Sequence, residues 1–155
     1  MTAISQIILR PAVRDDVAAI IAMLADDHLG RARERLEQPL PKLYYDAFER
    51  VKSDPNIQLI VAEEGGSVVG CLQLCILPGL SSQGASRGLI EDVRVASHRR
   101  GRGIGEQLVQ WAVKEARDKG CKLAELLTHH TRTDAQRFYE RLGFQRSHVG
   151  MTIRF

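Results

Sequence analysis

Two kinds of segment alternate along the chain. In the first, apolar and polar residues alternate over a short run; in the second, apolar residues recur every three or four positions. The alternating runs predict strands at 7–10, 58–63, 68–76, 89–95 and 123–128, with one or two more within 145–155. The helical spacing predicts helices at 17–24, 42–51, 107–119 and 135–142. Asp15 or Asp16 is expected to cap the first helix, and Gly65-Gly66 predicts a hairpin turn. Strands that alternate with helices, together with a hairpin, predict an α/β (α+β) fold with a mixed sheet.

A glycine-rich loop at 98–105 lies between the strand at 89–95 and the helix that follows. Gly101, Gly103 and Gly105 occupy every second position and are flanked by arginines. Backbone N–H groups at a helix start lack partners within the helix, and the helix dipole adds positive charge there. A strand, a glycine loop and a helix start therefore predict a site for a phosphate group.

Two common phosphate motifs do not fit this loop. A dinucleotide fingerprint needs G-x-G-x-x-G, whereas the loop reads G-x-G-x-G. A P-loop needs Gly-Lys followed by Ser or Thr, and the chain contains no such sequence.

Composition narrows the class of protein further. The 155 residues are 44% hydrophobic, which is enough for one core, so we expect residues 1–155 to form a single domain. A net charge of +3 and 5% aromatic residues do not favour nucleic-acid binding. No apolar run approaches the length of a membrane span, and the first ten residues do not resemble a signal peptide. Three cysteines without C-x-x-C spacing fit a reduced, cytoplasmic protein, in which Cys71 and Cys75 would fill the core.

Two motifs carry a resemblance to a known family. Arg100, Gly103 and Gly105 match R-x-x-G-x-G, and residues 135–144 match A-x-x-F-Y-x-x-x-G-F. With these motifs in this order, the chain resembles the GNAT acetyltransferases along nearly its whole length. The resemblance implies a mostly antiparallel, twisted sheet of six to seven strands flanked by about four helices. It also implies transfer of an acetyl group from acetyl-coenzyme A, the co-substrate, to a primary amine of a small molecule, by direct attack in a ternary complex.

The resemblance also implies the residues that hold the coenzyme. In the family the glycine loop binds the diphosphate, while the strand before it pairs with the pantetheine arm and offers a backbone N–H, here that of Val93, to the thioester carbonyl. The implied set is Val93, Arg94, Val95, Arg100, Gly101, Arg102, Gly103, Ile104 and Gly105. Many members have an asparagine where this chain has Arg132, so that Thr131 or Thr133 would replace it or Arg132 would reach the coenzyme phosphates.

Acetyl transfer requires a neutral amine. An amine with a pKa of about 10.4 is neutral in about one molecule in 2,500 at pH 7, a cost of roughly 4.6 kcal/mol. Glu91 is the first candidate for a base. The family resemblance implies a carboxylate on this strand that faces the acceptor, and alternation puts Glu91 in phase with Leu89, Val93 and Val95. Asp92, expected on the opposite face, and water alone are the alternatives, and both carboxylates could instead anchor nearby arginines. The family resemblance implies Tyr139 as general acid, and its place on an apolar stripe also allows a core role.

The acceptor is less defined. The charged segment 26–35 would line the acceptor pocket in this family, with aspartates for a second amine or arginines for an acidic group, unless it is a solvated connector. Residues 132–135, 137–139 and 147–148 resemble the bacterial aminoalkylphosphonate acetyltransferases, which implies a small amine with an anionic head. A protein or peptide acetyltransferase and a non-catalytic coenzyme-A-binding module remain alternatives, and a homodimer stays open. His129 and His130 lack further ligands at metal spacing, so no metal is expected.

Overall fold

A five-stranded sheet with helices on both faces forms the part of the chain that the structure, a computed structural model, describes, residues 6–155. The strands are β1 (Ile7–Pro11), β2 (Ile57–Glu64), β3 (Ser67–Leu77), β4 (Arg87–Val95) and β5 (Leu123–Leu126). The helices are α1 (Val17–Leu24), α2 (His28–Arg31), α3 (Lys42–Ser53), α4 (Ser81–Gly84), α5 (Ile104–Asp118) and α6 (Thr133–Arg141). The order is β1-β2-β3-β4-β5, antiparallel except for the parallel pair of β4 and β5. The mixed α/β class is confirmed.

The core lies in two layers, one on each face of the sheet. On one face α5 buries Ile104, Leu108 and Ala112 against β3 and β4, because its apolar residues recur at helical spacing. On the other face α1 packs Ile20 and Met23 against Val61 and Cys71. The expected burial of Cys71 and Cys75 is confirmed, and both are free thiols. Within the described residues, no helix is long and apolar enough to cross a bilayer.

The helices begin and end close to the predicted positions, with four differences, of which the first is that the short helix α4 was not predicted. α5 begins at Ile104 rather than at 107, because Gly103 takes a left-handed conformation (φ 77°) at the N-cap. The one-turn helix α2 was not predicted; Asp27 caps it by accepting a hydrogen bond from the Gly30 N–H at 2.6 Å. Asp16 does not cap α1, because its buried carboxylate accepts instead from the Val13 N–H and the Arg10 guanidinium.

The prediction of six to seven strands is wrong for the described residues, which contain five. Residues 145–155 form no strand, although their apolar residues alternate. A strand needs a neighbour for its backbone hydrogen bonds, and this segment pairs with no strand: the outer edge of β5 stays without a partner within the described residues. The segment is instead exposed to solvent.

A β-bulge at Asp92 overturns the expected alternation along β4. Asp92 has a positive φ of 53°, and the register passes from Gln73↔Glu91 to Cys71↔Arg94, so β4 holds one residue more than β3. Glu91 is therefore in phase with Leu89 and Arg94, and not with Val93 and Val95 as predicted.

Gly30 shows how tightly α2 packs against the end of α1. A Cβ atom built at Gly30 would lie 1.8 Å from the Leu24 carbonyl oxygen, a backbone atom that cannot move aside. We therefore expect Gly30→Ala to lower the free energy of unfolding by about 3 kcal/mol. Gly79→Ala is the control, because its Cβ would meet its nearest atom at an ordinary 3.4 Å. Urea denaturation of both variants measures the difference, and equal midpoints would contradict the prediction.

Candidate active site

A cleft of about 680 Å³ opens where β4 separates from β5. The parallel pairing ends at Ile90↔Leu126, so the last five residues of β4 have no partner on that side. α5 starts at one end of the opening and α6 forms the opposite wall. The cleft is lined by Val93, Arg94, Val95, Arg99, Arg100, Gly101, Gly103, Ile104, Gly105, Glu106, Ala135, Phe138, Tyr139, Arg141 and Leu142.

The glycine loop brings the N-terminus of α5 to the cleft. Gly101 and Gly103 both have a φ of 77°, a conformation that glycine adopts without strain. The N-cap Gly103 has no side chain to accept from the first N–H groups of α5, so these donors stay available. Buried Ile104 anchors the helix start in the core. The loop thus presents backbone donors and the positive end of a 15-residue helix.

Arginines add charge around this helix start. The Arg100 Nε donates to the Val95 carbonyl at 3.2 Å, and one of its Nη atoms lies 3.3 Å from an oxygen of Asp26. Arg99 is paired with the mostly buried Glu64 at 2.7 Å. Arg141 reaches the cleft from α6. Of the residues predicted to hold the coenzyme, Arg102 does not line the cleft and the others do.

Tyr139 lies in the α6 wall, half-buried between two phenylalanines. Its ring packs edge-on against Phe138 and Phe144, with centroid distances of 5.1 and 5.9 Å. Burial raises the pKa of its phenol, and the positive charges of Arg94 and Arg132 partly oppose that rise. Within the described residues its hydroxyl has no protein hydrogen-bond partner. The hydroxyl is therefore protonated at neutral pH and free to donate.

Two carboxylates lie side by side at the bulge of β4. Partial burial raises the pKa of Glu91, and the neighbouring charge of Asp92 raises it further. Asp92 also acts on the pKa of Cys71, which belongs to the face on which Glu91 lies. The charges of Glu91 and Asp92 therefore both act on the face of β4 that carries Glu91. Strict alternation along the strand had predicted that the two side chains lie on opposite faces. Asp92 and Val93 fall outside the register with β3, which leaves this turn of the backbone irregular.

The charged segment 26–35 is tied to the cleft walls by ion pairs. Asp27 pairs with Arg132, just before α6, and Asp26 pairs with Arg100. Burial works to raise the pKa of Asp27, but hydrogen bonds from the Gly30 N–H and the Arg132 guanidinium hold it below its ordinary value. Both aspartates are therefore paired with arginines in this structure. Arg132 is paired with Asp27, as Arg100 is with Asp26.

Comparison with known proteins identifies this architecture. The sequence profile described as the acetyltransferase (GNAT) family matches residues 19–144. The chain belongs to the GNAT family. A curated relative, the aminoalkylphosphonate N-acetyltransferase of Salmonella typhimurium, is 34% identical over 145 residues, 93% of this GNAT chain and 88% of the relative.

Solved structures share the fold of this chain. One, described as a transcriptional regulator from Bacillus halodurans C-125, is 49% identical to this GNAT chain, with a TM-score of 0.94 over 97% of this chain and 100% of the other. An acetyltransferase from Trypanosoma brucei is 26% identical, with a TM-score of 0.79 over 97% and 100%. This GNAT chain is an acyltransferase of a family that uses acetyl-CoA as its acetyl donor.

The cleft fits the chemistry of that coenzyme. The helix start and the arginines suit a diphosphate, and the apolar walls formed by Val93, Val95 and Phe138 suit a narrow, flexible arm. Sequence reasoning missed six lining residues: Arg99, Glu106, Ala135, Phe138, Arg141 and Leu142. Four of them lie on α6 or directly after it, within the motif at 135–144. The apolar stripe of that helix could therefore have predicted that it lines the cleft. Within residues 6–155, no cluster of three or more His, Cys, Asp or Glu could hold a metal ion in this GNAT chain.

Proposed function

We propose that the chain N-acetylates a small primary amine, with acetyl-CoA bound at the glycine loop and direct attack in a ternary complex. The observation that carries this proposal is the splayed end of β4, where the helix start and Tyr139 line one cleft. Glu91 and Asp92 do not line that cleft, and lie just before Val93, where the lining of the cleft on β4 begins. Bound there, the coenzyme supplies the acetyl group as a thioester.

Binding of the donor is assigned to the backbone of 101–105, with Arg99, Arg100 and Arg141 as neighbouring cations. Helix N-termini bind phosphate through N–H groups that are already oriented, so little reorganisation is needed. Val93 and Val95 flank the arm, and the irregular backbone at Val93 provides an N–H that β3 does not engage in the regular register. A fixed backbone donor stabilises negative charge on a carbonyl oxygen as attack proceeds.

Glu91 is proposed to take the proton from the attacking amine, directly or through water. Its raised pKa brings it closer to that of the amine, so that proton transfer becomes less unfavourable, while it remains ionised above that pKa. Partial burial is the larger cause of this raised pKa, and the negative charge of Asp92 adds to it. Asp92 is the second candidate for the base.

Tyr139 is proposed to protonate the departing thiolate. With ordinary pKa values near 10 for a phenol and 8.5 for a thiol, this transfer is uphill by about 2 kcal/mol, which is small against a reaction barrier. Burial raises that cost, and the charges of Arg94 and Arg132 lower it. A proton donor must also be free of other hydrogen bonds, and the Tyr139 hydroxyl has no protein partner within the described residues.

The acceptor is proposed to carry an anionic group. Arg94 follows the bulge, and its Nε is buried without a hydrogen-bond partner, while one Nη donates to the Val93 carbonyl at 3.0 Å. The positive charge of Arg94 lowers the pKa of both Asp27 and Tyr139, so Arg94 lies near the segment 26–35 as well as near Tyr139. The relative that acts on aminoalkylphosphonates adds support for a small amine with an anionic head.

A panel of acceptors tests the proposal. Thiol release from acetyl-CoA is measured with aminoalkylphosphonates, amino acids, neutral amines of equal length and lysine peptides. We expect turnover with small amines, fastest with those that bear an anionic group. Turnover of peptides alone would instead indicate a protein acetyltransferase. Coenzyme binding by calorimetry without turnover of any amine would indicate a binding module.

Glu91→Gln is expected to lower kcat by about 10²-fold at neutral pH and to leave the Kd of the coenzyme nearly unchanged. In the unmodified enzyme, activity should fall as the pH drops through the raised pKa of Glu91, because the protonated carboxyl cannot act as a base. The variant should lack this acidic limb, and its deficit should shrink at high pH as more of the amine becomes neutral. Steady-state rates from pH 5 to 9.5 measure both effects.

Asp92→Asn is the matched control for Glu91→Gln. Removing its charge should lower the pKa of Glu91 and shift the acidic limb to lower pH, without abolishing it. If the Glu91 variant keeps full activity and the Asp92 variant loses it, the base is Asp92.

A further inference from the structure

One polar side chain interrupts an apolar row on the sheet face against which α1 packs. Gln73 is half-buried near the middle of β3, between Leu59 on β2 and Glu91 on β4. Its neighbours on the same face of β3, Cys71 and Cys75, are both buried. An apolar residue would suit this position better, because an amide that is not fully hydrogen-bonded is costly where water is scarce. The packing of the sheet therefore does not explain why a glutamine is present here.

The amide of Gln73 is poorly satisfied by the protein. Within residues 6–155 it makes one hydrogen bond, from its Nε2 to the Cys75 Sγ at 3.4 Å, and sulfur is a weak acceptor. Its carbonyl oxygen can accept two hydrogen bonds and accepts none from the described residues. The amide thus offers an oxygen acceptor to a molecule that the protein binds.

Glu91 lies directly opposite Gln73 in the antiparallel register. Side chains in this relation share one sheet face, with Cβ atoms about 4.5–5.5 Å apart. The Glu91 carboxylate is partly exposed and makes no hydrogen bond or ion pair with the part of the chain that the structure describes. The lining of the coenzyme cleft begins two residues after Glu91, at Val93. Two side chains with unused oxygen acceptors therefore lie side by side next to the end of that cleft.

We infer that Gln73 binds the amine of the acceptor together with Glu91, an inference that rests on the proposed N-acetyl transfer. A primary amine carries two N–H groups, so it can donate to both side chains at once. Glu91 takes one proton from the nitrogen, and the Gln73 carbonyl oxygen accepts the other N–H and so fixes the direction of the attacking lone pair. The positive charge that the nitrogen acquires during attack strengthens this hydrogen bond, so its loss affects the transition state more than the bound substrate.

Gln73→Met tests the inference through opposite effects on stability and activity. Methionine keeps the length and unbranched shape of glutamine and removes the amide, so in this apolar row the melting temperature should stay the same or rise. With the small amine that is acetylated fastest, kcat/KM should fall about 10–100-fold, as expected for the loss of a hydrogen bond to a group that becomes charged. The Kd of acetyl-CoA should not change. Thermal melts, thiol-release rates and calorimetric titration of the full chain measure the three quantities.

Gln58→Met is the matched control. Gln58 is a half-buried glutamine on β2, and its Nε2 donates to a carboxylate oxygen of Glu115 on α5 at 2.9 Å, on the other side of the sheet. This variant loses a well-formed hydrogen bond, so its melting temperature should fall while kcat/KM stays unchanged. The two glutamines are thus expected to show the reverse pattern of effects.

Gln73→Glu keeps an oxygen acceptor and adds a negative charge opposite Glu91. Asp92 already raises the pKa of Glu91 through its charge, and a second carboxylate beside Glu91 should raise it further. The acidic limb of the pH–rate profile should therefore move to higher pH. Above that limb, Gln73→Glu should recover most of the activity that Gln73→Met lacks, because the oxygen that accepts from the amine is restored.

The outcomes separate this inference from the proposed function. An active enzyme whose kcat/KM is the same with Gln73→Met, or whose acidic limb does not move with Gln73→Glu, would overturn the inference and leave the proposed function intact. Parallel losses of stability and activity in Gln73→Met would assign Gln73 a structural role and also overturn it. An unmodified protein that acetylates no small amine would overturn both.

Discussion

Replacing Tyr139 with phenylalanine is expected to lower kcat by about 10²–10⁴-fold while the Kd of acetyl-CoA stays nearly unchanged. The substitution keeps the ring and its edge-on contacts with Phe138 and Phe144, and removes only the hydroxyl. Because that hydroxyl has no protein partner within the described residues, its loss should cost less stability than the 0.5–1.5 kcal/mol of a typical hydrogen bond. Turnover should therefore fall by far more than folding can explain.

Tyr45→Phe is the control for this prediction. Tyr45 lies on α3, where Arg14 stacks over its ring at 4.5 Å, and it does not line the cleft. Its substitution should leave kcat unchanged. Single-turnover rates and thermal melts of both variants provide the comparison. A folded Tyr139→Phe enzyme within a few-fold of the unmodified rate would leave solvent as the proton donor and return Tyr139 to a packing role.

Gly103→Val is expected to weaken the binding of acetyl-CoA by about 100-fold or more, equivalent to about 2.7 kcal/mol. A Cβ at Gly103 meets no protein atom within 4 Å, so the new side chain would occupy space at the start of α5 that the proposal gives to the coenzyme. The left-handed φ of 77° adds a strain of about 1–3 kcal/mol, which affects folding in addition to binding.

Gly120→Val separates the strain from the loss of binding. Gly120 follows the other end of α5, has a φ of 78° and also has no atom within 4 Å of a built Cβ. Both variants should lose similar stability in urea, and only Gly103→Val should lose affinity in calorimetric titration. Equal affinities in the two variants would remove the glycine loop from the donor site.

The sequence predicted the parts of this structure that depend on neighbours along the chain. Helix and strand positions follow from the spacing of apolar residues, and the glycine loop is a local motif between Val95 and Ile104. Tyr139 could be assigned to the cleft only through the family resemblance, because its stripe alone also fits a core helix. Its predicted role, like that of Glu91, stays a prediction.

The features that the sequence did not predict depend on distant residues or on backbone geometry. The bulge at Asp92 inserts one residue into β4. Aspartate adopts a positive φ more readily than most residues, but most aspartates do not, so its presence alone does not predict a bulge. The pairing of Asp27 with Arg132 joins residues 105 positions apart. Residues 145–155 have the pattern of a strand, but whether a strand forms depends on an available partner, which the pattern does not contain.

The parallel pairing of β4 with β5 has a consequence for how freely this sequence could change. A parallel neighbour requires a crossover helix, and α5 begins within nine residues of the end of β4, so its N-terminus lies at the splayed edge whatever its side chains are. Every residue except proline carries the backbone N–H that such a site uses. Substitutions in the loop are therefore limited mainly by the positive φ of Gly101 and Gly103, by the space that the proposal gives to the coenzyme beside Gly103, and by the exclusion of proline. A binding site for the acetyl donor that uses backbone N–H groups therefore tolerates many side-chain substitutions. The site for the acceptor depends on charged side chains from separate elements, so substitutions there can change which acceptor is bound.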